Sequence, residues 1–250
     1  MDMGLRGKVA LVTGASLGIG KACAQALANE GCNVAICARG KEALEKTAAE
    51  IKTEGVQILP IQASIAKAED IRRMVDKIIE TFGHIDFLVN NAGYFPIKMF
   101  EAMSQEDWQQ VIDVNLTGTF LVTKEVYGHM ADRGEGKIIN MASVAGRVGG
   151  AGLVHYSAAK AGVIGFTRAL AKEAAQAGIQ INAIAPGIIE TETAKSTFPE
   201  FALKEYLRNV PLGRLGKDDD LAGLVVFLCS NQSSYITGQV FAVDGGYTMI

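Results

Sequence analysis

Short apolar runs rich in β-branched residues recur along this chain, and each is followed by a longer stretch with helical period. The runs read "KVALVTG", "NVAICA", "VQILPI", "IDFLVNNAG", "KIINMAS", "IQINAIAP" and "QVFAVDGG", and between them lie segments such as "IGKACAQALANEG" and "KEALEKTAAEIKTEG". The runs are continuously apolar and do not alternate with polar residues, so both faces of each strand must be covered. That pattern predicts an α/β fold: a doubly wound parallel sheet of about seven strands with about six crossover helices on its two faces. No Pro- or Ser-rich stretch divides the 250 residues, so a single domain spanning 1–250 is expected. "SQED" at 104–107 has the form of a capping box opening one of the helices.

Charge and cysteine usage remove several functions. Net charge is −3 with no run of Lys and Arg, so neither nucleic acid nor an acidic membrane surface is an expected partner. There is no secretory apolar core and no run of about 20 apolar residues, which makes a soluble cytoplasmic protein the expectation. Cys23, Cys32, Cys37 and Cys229 are scattered without a CxxC pair, and His84, His129 and His155 accompany them. That arrangement fits reduced core thiols and neither a disulfide framework nor a metal site.

In a doubly wound sheet, ligands bind outside the carboxyl ends of the strands. The first strand ends in "TGASLGIG", where Gly14, Gly18 and Gly20 allow a tight turn, close approach to a pyrophosphate and close packing of the following helix. A phosphate-binding loop of the nucleoside-triphosphatase type is excluded, because Gly20-Lys21 is followed by Ala22, which lacks the hydroxyl for magnesium. The second strand ends at Ala38, where an acid would accept the ribose 2′-hydroxyl of NAD. Arg39 follows and can pair with a 2′-phosphate through its planar fork. Further on, "YSAAK" puts Tyr156 and Lys160 on one helical stripe with small residues between them. An unperturbed phenol, with a pKa near 10, is a poor proton exchanger at neutral pH, and a lysine one turn away, together with the positive nicotinamide of an oxidised cofactor, would bring it toward the working range. At the end of its strand, Ser143 can hydrogen-bond a substrate oxygen. Asn115 and Gly118, both poor helix formers, predict a local distortion in the helix that carries them.

Taken in order, "TGASLGIG", "NNAG" (90–93), "DVNLTG", "INMASVAG", "YSAAK" and "PG" (186–187) resemble the motifs of the short-chain dehydrogenase/reductase family over essentially the whole chain. The resemblance implies a Rossmann-like fold, a catalytic tetrad of Asn115, Ser143, Tyr156 and Lys160, and an NAD(P) cofactor. Carried over residue by residue, it implies cofactor contacts at Gly14, Ser16, Leu17, Gly18, Ile19 and Gly20. Further contacts are implied at Arg39, Ser64, Asn90, Ala92 and Gly93, at Tyr156 and Lys160, and at Pro186, Gly187, Ile188, Ile189 and Thr191. In this family Asn115 holds a water in a proton relay to Lys160. Ser64 departs from the pattern, because relatives often carry an aspartate against the adenine there. Leu17 departs too, because NADP-preferring relatives often have a basic residue at that site. Arg39 without a preceding acid favours NADP(H), with NAD(H) the alternative.

Substrate is less constrained. The stretch "IIETETAKSTFPEFALKEYLRNVPLGRLG" reads as a lid over the site. With Tyr94, Phe95, Met99 and Val148 on other loops, it suggests an apolar cleft for a ketone or acyl substrate, although these aromatics would also suit a subunit interface. "GIIETETAK" and "VPLGRLG" are similar to stretches of bacterial 3-oxoacyl carrier-protein reductases, and secondary-alcohol, steroid and sugar dehydrogenases share them. The expected reaction is hydride transfer between the nicotinamide and a ketone or secondary alcohol, plausibly a 3-oxoacyl thioester. A non-catalytic dinucleotide sensor is the reading from another class, and the resemblance further implies a homotetramer. His155 is expected as a pocket wall or surface residue.

Overall fold

The computed structural model describes residues 3–51 and 53–249. Its strands are β1 (Val9–Thr13), β2 (Asn33–Ala38), β3 (Ile58–Gln62), β4 (Phe87–Asn90), β5 (Gly136–Met141), β6 (Ile179–Pro186) and β7 (Val240–Val243). They form one sheet in the order β3-β2-β1-β4-β5-β6-β7, and every neighbouring pair is parallel. Each matches an apolar run read from the sequence to within one residue, Gln62 of β3 and Gly136 of β5 lying just outside. Pro60 is tolerated because β3 is an edge strand, with only β2 beside it.

The helices are α1 (Gly18–Asn29), α2 (Lys41–Glu50), α3 (Ala68–Phe82), α4 (Gln105–Ile112), α5 (Gly118–Arg133), α6 (Ala145–Val148), α7 (Val154–Ala174), α8 (Glu192–Thr197), α9 (Glu200–Arg208) and α10 (Asp219–Cys229). Successive side chains of β1 go to opposite faces, as strand geometry requires. Ala10 and Val12 pack with Cys23 and Leu27 of α1, Leu44 of α2 and Leu221 of α10. Val9 and Leu11 pack with Ile71 and Val75 of α3 and Val122 and Met130 of α5. A substitution such as Leu11→Ala at this fully buried position would cost roughly 2–5 kcal/mol.

Two local devices fix the helices that carry the site. Ser104 Oγ accepts the Asp107 N–H at 3.2 Å while the Asp107 carboxylate accepts the Ser104 N–H at 2.9 Å, which is the capping box of "SQED" at the start of α4. Between α4 and α5 the helix widens to a π-turn at Asp113–Thr117, the distortion expected around Asn115. At the amino-terminal edge of the sheet, away from the strand ends that bind ligands, Asp86 is buried. Its carboxylate accepts the Val9 N–H at 2.7 Å and Arg133 at 3.0 Å, with His84 and Lys8 beside it. Burial opposes its ionisation, but these partners prevail and hold it below the usual carboxylate range.

Candidate active site

The strand order reverses at β1, whose neighbours are β2 on one side and β4 on the other. A crevice opens at such a point between the carboxyl ends of the strands, and here it is a cleft of about 1070 Å³. Its floor begins with the glycine turn. Gly14 has φ +65° and a Cβ there would stand 2.6 Å from Ala92 Cα, while a Cβ on Gly20 would be 2.4 Å from Gly14 O. No side chain fits at either position, so the backbone of this turn comes against the loop after β4 and against itself. α1 starts at Gly18 with no side-chain cap, which leaves the N–H groups of its first turn for whatever lies in the cleft.

"NNAG" divides into two roles. Asn91 braces the turn, its amide donating to Thr13 O at 3.0 Å and Gly14 O at 3.1 Å, while Thr13 Oγ1 accepts the N–H groups of Asn91 and Ala92. Ala92 and Gly93 line the cleft. Asn90 does not reach it. Its side chain is buried between β4, β5 and α5, donating to Thr123 Oγ1 and Asn140 Oδ1 at 2.9 Å each, so it stitches the sheet and cannot touch an adenosine. The sequence reading missed Asn91 and Thr13, because spacing alone does not say which asparagine of the pair turns inward.

The adenosine side is walled by Ala38, Arg39, Gly40, Ser64, Ile65 and Ala66. Arg39 is exposed at the end of β2, and Ser64 gives its N–H to Asp70 at 2.9 Å. On the other side, Pro186, Gly187, Ile188, Ile189 and Thr191 line the cleft beyond β6. Thr191 Oγ1 also caps α8 by accepting the Ala194 N–H at 3.1 Å. The donor set thus consists of a backbone cradle for a pyrophosphate, a guanidinium at one end and a backbone loop at the other. That set fits a nicotinamide dinucleotide.

Ser143, Tyr156 and Lys160 meet between these two ends. Ser143 follows β5 and its hydroxyl bonds the Tyr156 phenol. Lys160, only 3% exposed, donates to Met141 O at 2.7 Å and lies 5.6 Å from the centre of the Tyr156 ring. α6 presses on α7 at this point, and a Cβ on Gly146 would stand 2.6 Å from the Lys160 carbonyl carbon. Burial pushes the Tyr156 phenol up to about 12, with Ser143 offsetting part of the rise, and brings the Lys160 ammonium down to about 8. In the protein alone, loss of water governs both groups.

Asn115 stands one layer behind. It is fully buried, donates from Nδ2 to Tyr94 O at 2.7 Å and to Val111 O at 2.9 Å, and accepts the Tyr94 N–H at 3.2 Å. Its amide therefore shapes the loop after β4 and does not line the cleft. His155 is neither pocket wall nor surface residue. It is wholly buried, with Nδ1 accepting the Tyr156 N–H at 2.9 Å, on a helix that packs against α4. Of the expected apolar walls, Tyr94 and Phe95 line the cleft, while Met99 and Val148 are exposed outside it.

A glycine turn at the switch point of a doubly wound parallel sheet, facing a serine, a tyrosine and a buried lysine, defines a dinucleotide-dependent oxidoreductase. A family model described as Enoyl-(Acyl carrier protein) reductase matches residues 14–248. The chain is similar to the 3-oxoacyl-[acyl-carrier-protein] reductase of Synechocystis sp., at 45% identity over 98% of each chain. It is also similar to that of Aquifex aeolicus, at 43% identity over 98% of this chain and 99% of the relative. A solved structure of a putative short-chain alcohol dehydrogenase from Sinorhizobium meliloti superposes with a TM-score of 0.91, at 37% identity over 97% of this chain and 96% of that one. The chain belongs to the short-chain dehydrogenase/reductase family and is an NAD(P)-dependent enzyme of that family. Among the described residues, no helix is long and apolar enough to cross a membrane.

Proposed function

We propose that this enzyme reduces 3-oxoacyl thioesters with NADPH. The observation that carries the reading is the meeting of Ser143, Tyr156 and Lys160 at the aromatic end of the cleft, where Phe95, Phe198 and Tyr206 line the wall. The curated relatives bearing the 3-oxoacyl reductase name support the substrate class. When bound, the reduced nicotinamide supplies the hydride that reaches the carbonyl carbon.

The chain's own residues do the rest. The Ser143 hydroxyl and the Tyr156 phenol both face the substrate oxygen, and two donors aimed at one atom hold the carbonyl and stabilise the charge that develops on it. Tyr156 gives that oxygen its proton. A phenol raised by burial is protonated at neutral pH and so carries the proton that reduction consumes. Lys160, with its proton bound weakly at about 8, is placed to resupply the phenol and to hold ribose hydroxyls. Asn115 fixes the Tyr94 backbone, and with it the loop that carries Phe95. The glycine turn and the α1 N-terminus hold the pyrophosphate, and Ser64 accepts a hydrogen bond from the adenine side.

The preference for NADPH rests on Arg39, exposed at the end of β2 directly after Ala38. A partly solvated charge-assisted contact between this guanidinium and a 2′-phosphate is worth about 2 kcal/mol. The proposal also includes a cytoplasmic homotetramer. Phe120 of α5 is 45% exposed and meets Phe166 of α7 edge-on at 6.5 Å, an apolar outer face suited to a second copy, and sedimentation in solution tests it.

The function is tested by mixing purified protein with NADPH or NADH and a panel of 3-oxoacyl thioesters, 2-enoyl thioesters and simple ketones, and following the nicotinamide absorbance. Fastest oxidation of NADPH with the 3-oxoacyl thioesters is expected. Turnover confined to simple ketones with NADH would replace this reading with that of a secondary-alcohol dehydrogenase. Tight cofactor binding with no turnover on any substrate would make the protein a sensor.

A further inference from the structure

α9 contains no buried residue, yet it roofs the cleft. Phe201 on its outer side is 75% exposed, and Ala202, Leu203, Tyr206 and Leu207 are only partly covered. Partial burial of these side chains holds the helix more weakly than a core-facing stripe would. Its two roots are fixed. Past the carboxyl end, Val210 is buried and the Leu212 N–H donates to Gly245 O at 3.1 Å. Before the amino end, the Phe198 N–H donates to the buried Ala194 at 2.9 Å, and the Phe198 ring stacks on Phe95 at 6.1 Å. Phe95 in turn lies 5.6 Å from the Tyr156 ring.

Between the roots, Tyr206 connects the helix to the loop after β6. Its hydroxyl accepts the Ile188 N–H at 3.1 Å and its ring lies 4.6 Å from that of Tyr247. Gly187 makes room for the hydroxyl, because a Cβ there would stand 2.3 Å from it. The loop gripped by Tyr206 is itself firm. The Gly187 N–H donates to Val243 O at 3.0 Å, Ile188 O accepts the Gly216 N–H at 3.0 Å, and the Glu190 N–H donates to Gly216 O at 2.8 Å. Tyr206 thus joins a sparsely packed helix to this firm loop through the Ile188 hydrogen bond and to the segment after β7 through Tyr247.

We propose that Tyr206 is a positioning residue that latches α9 over the Tyr156 end of the cleft, so that release of this latch sets how fast the dinucleotide leaves. Tyr206 acts through Ile188 and α9 and not on the reacting atoms. The proposal needs only dinucleotide binding, which membership of the family supplies, so it stands or falls separately from the choice of substrate.

The test is the dissociation of NADPH from the full-length protein, followed by stopped-flow fluorescence during a chase with excess NADP+. Tyr206→Phe keeps the ring and removes the acceptor of the Ile188 N–H. One neutral hydrogen bond lost from the closed state alone gives a roughly five-fold faster dissociation with an unchanged association rate. Tyr247→Leu, which removes the ring partner and leaves the hydroxyl, should speed dissociation in the same direction and carries the test if Tyr206→Phe does not fold. Chymotryptic cleavage at the exposed Phe201 supplies a second readout: NADPH should slow it in the unmodified protein and much less in Tyr206→Phe. Unchanged dissociation and protection in both variants, or equal changes in association and dissociation, would overturn the latch.

Discussion

Lys160 should weaken the fold it serves, and the size of that effect follows from its burial. Its folded-state pKa of about 8 stands against 10.5 for the unfolded chain, and at 1.36 kcal/mol per unit the difference is about 3 kcal/mol. The sign is fixed by proton binding. Between about pH 8 and 10.5 the unfolded chain holds the proton and the folded chain does not, so stability rises with pH across this window and is lost as pH falls through 8. Lys160→Met removes the ammonium and keeps most of the volume. It also strands Met141 O, which now accepts from Lys160 at 2.7 Å, a loss of roughly 1–3 kcal/mol. Near neutral pH the two effects oppose each other, and the variant should match the parent or exceed it slightly in stability. The decisive quantity is the difference between the two proteins as pH rises. The parent should gain about 3 kcal/mol on the variant from about pH 8 to pH 10.5, while tyrosines and cysteines titrate in both and cancel. Urea unfolding followed by far-ultraviolet circular dichroism at a series of pH values measures it. Parallel curves would mean that Lys160 keeps its ordinary pKa in the folded protein, and the resupply of protons to Tyr156 would lose its basis.

Three further outcomes are expected. Tyr156→Phe should lower kcat/KM by ~10²–10⁴-fold, the range of general acid catalysis, with NADPH affinity in fluorescence titration nearly unchanged; retention of most turnover would remove the phenol from its role. Ala38→Asp combined with Arg39→Leu should turn an NADPH preference of roughly thirty-fold, equivalent to about 2 kcal/mol, into a preference for NADH in steady-state kinetics. Gly14→Ala should lose ~1–2 kcal/mol to left-handed strain and roughly 1–3 more to the contact with Ala92, and bind NADPH poorly. Gly40→Ala, at φ −85° with open space around it, should unfold in urea like the parent.

The strands were legible because strands buried on both faces write themselves as unbroken apolar runs, and even Pro60 did not mislead, since it falls on the edge. Tyr156 and Lys160 were legible because helical spacing alone brings i and i+4 together. What sequence left hidden depends on orientation and on burial. Asn90 and Asn91 are adjacent and chemically identical, yet strand alternation sends one into the sheet and the other under the glycine turn. His155 looked like a wall of the site beside its tyrosine, but it is wholly buried and does not line the cleft. The pKa values of Tyr156 and Lys160 could not be read from their pairing, because the enclosure that governs them comes from α6, held against α7 by Gly146, and from strand ends far away in the chain. Tyr206 gave a composition signal only, one of three aromatics in the stretch after β6, and Gly187 reads in the sequence as a cofactor contact.

The π-turn at Asp113–Thr117 loosens the link between chain length and packing at one point. A wide turn absorbs one residue more than an α-helix of the same rise, and buried Val111, Asn115, Gly118, Val122, Val126 and Met130 still recur every three or four residues across it. Removing a single residue here would let the helix close to a regular one with its downstream face still inward. The sheet and its cover would survive such a deletion, while Asn115 would swing off the Tyr94 backbone and the loop bearing Phe95 would lose its anchor. A shortened chain of this kind would be a folded protein with a disordered active-site wall, which makes residues 113–117 a place where foldability and catalysis can be inherited separately.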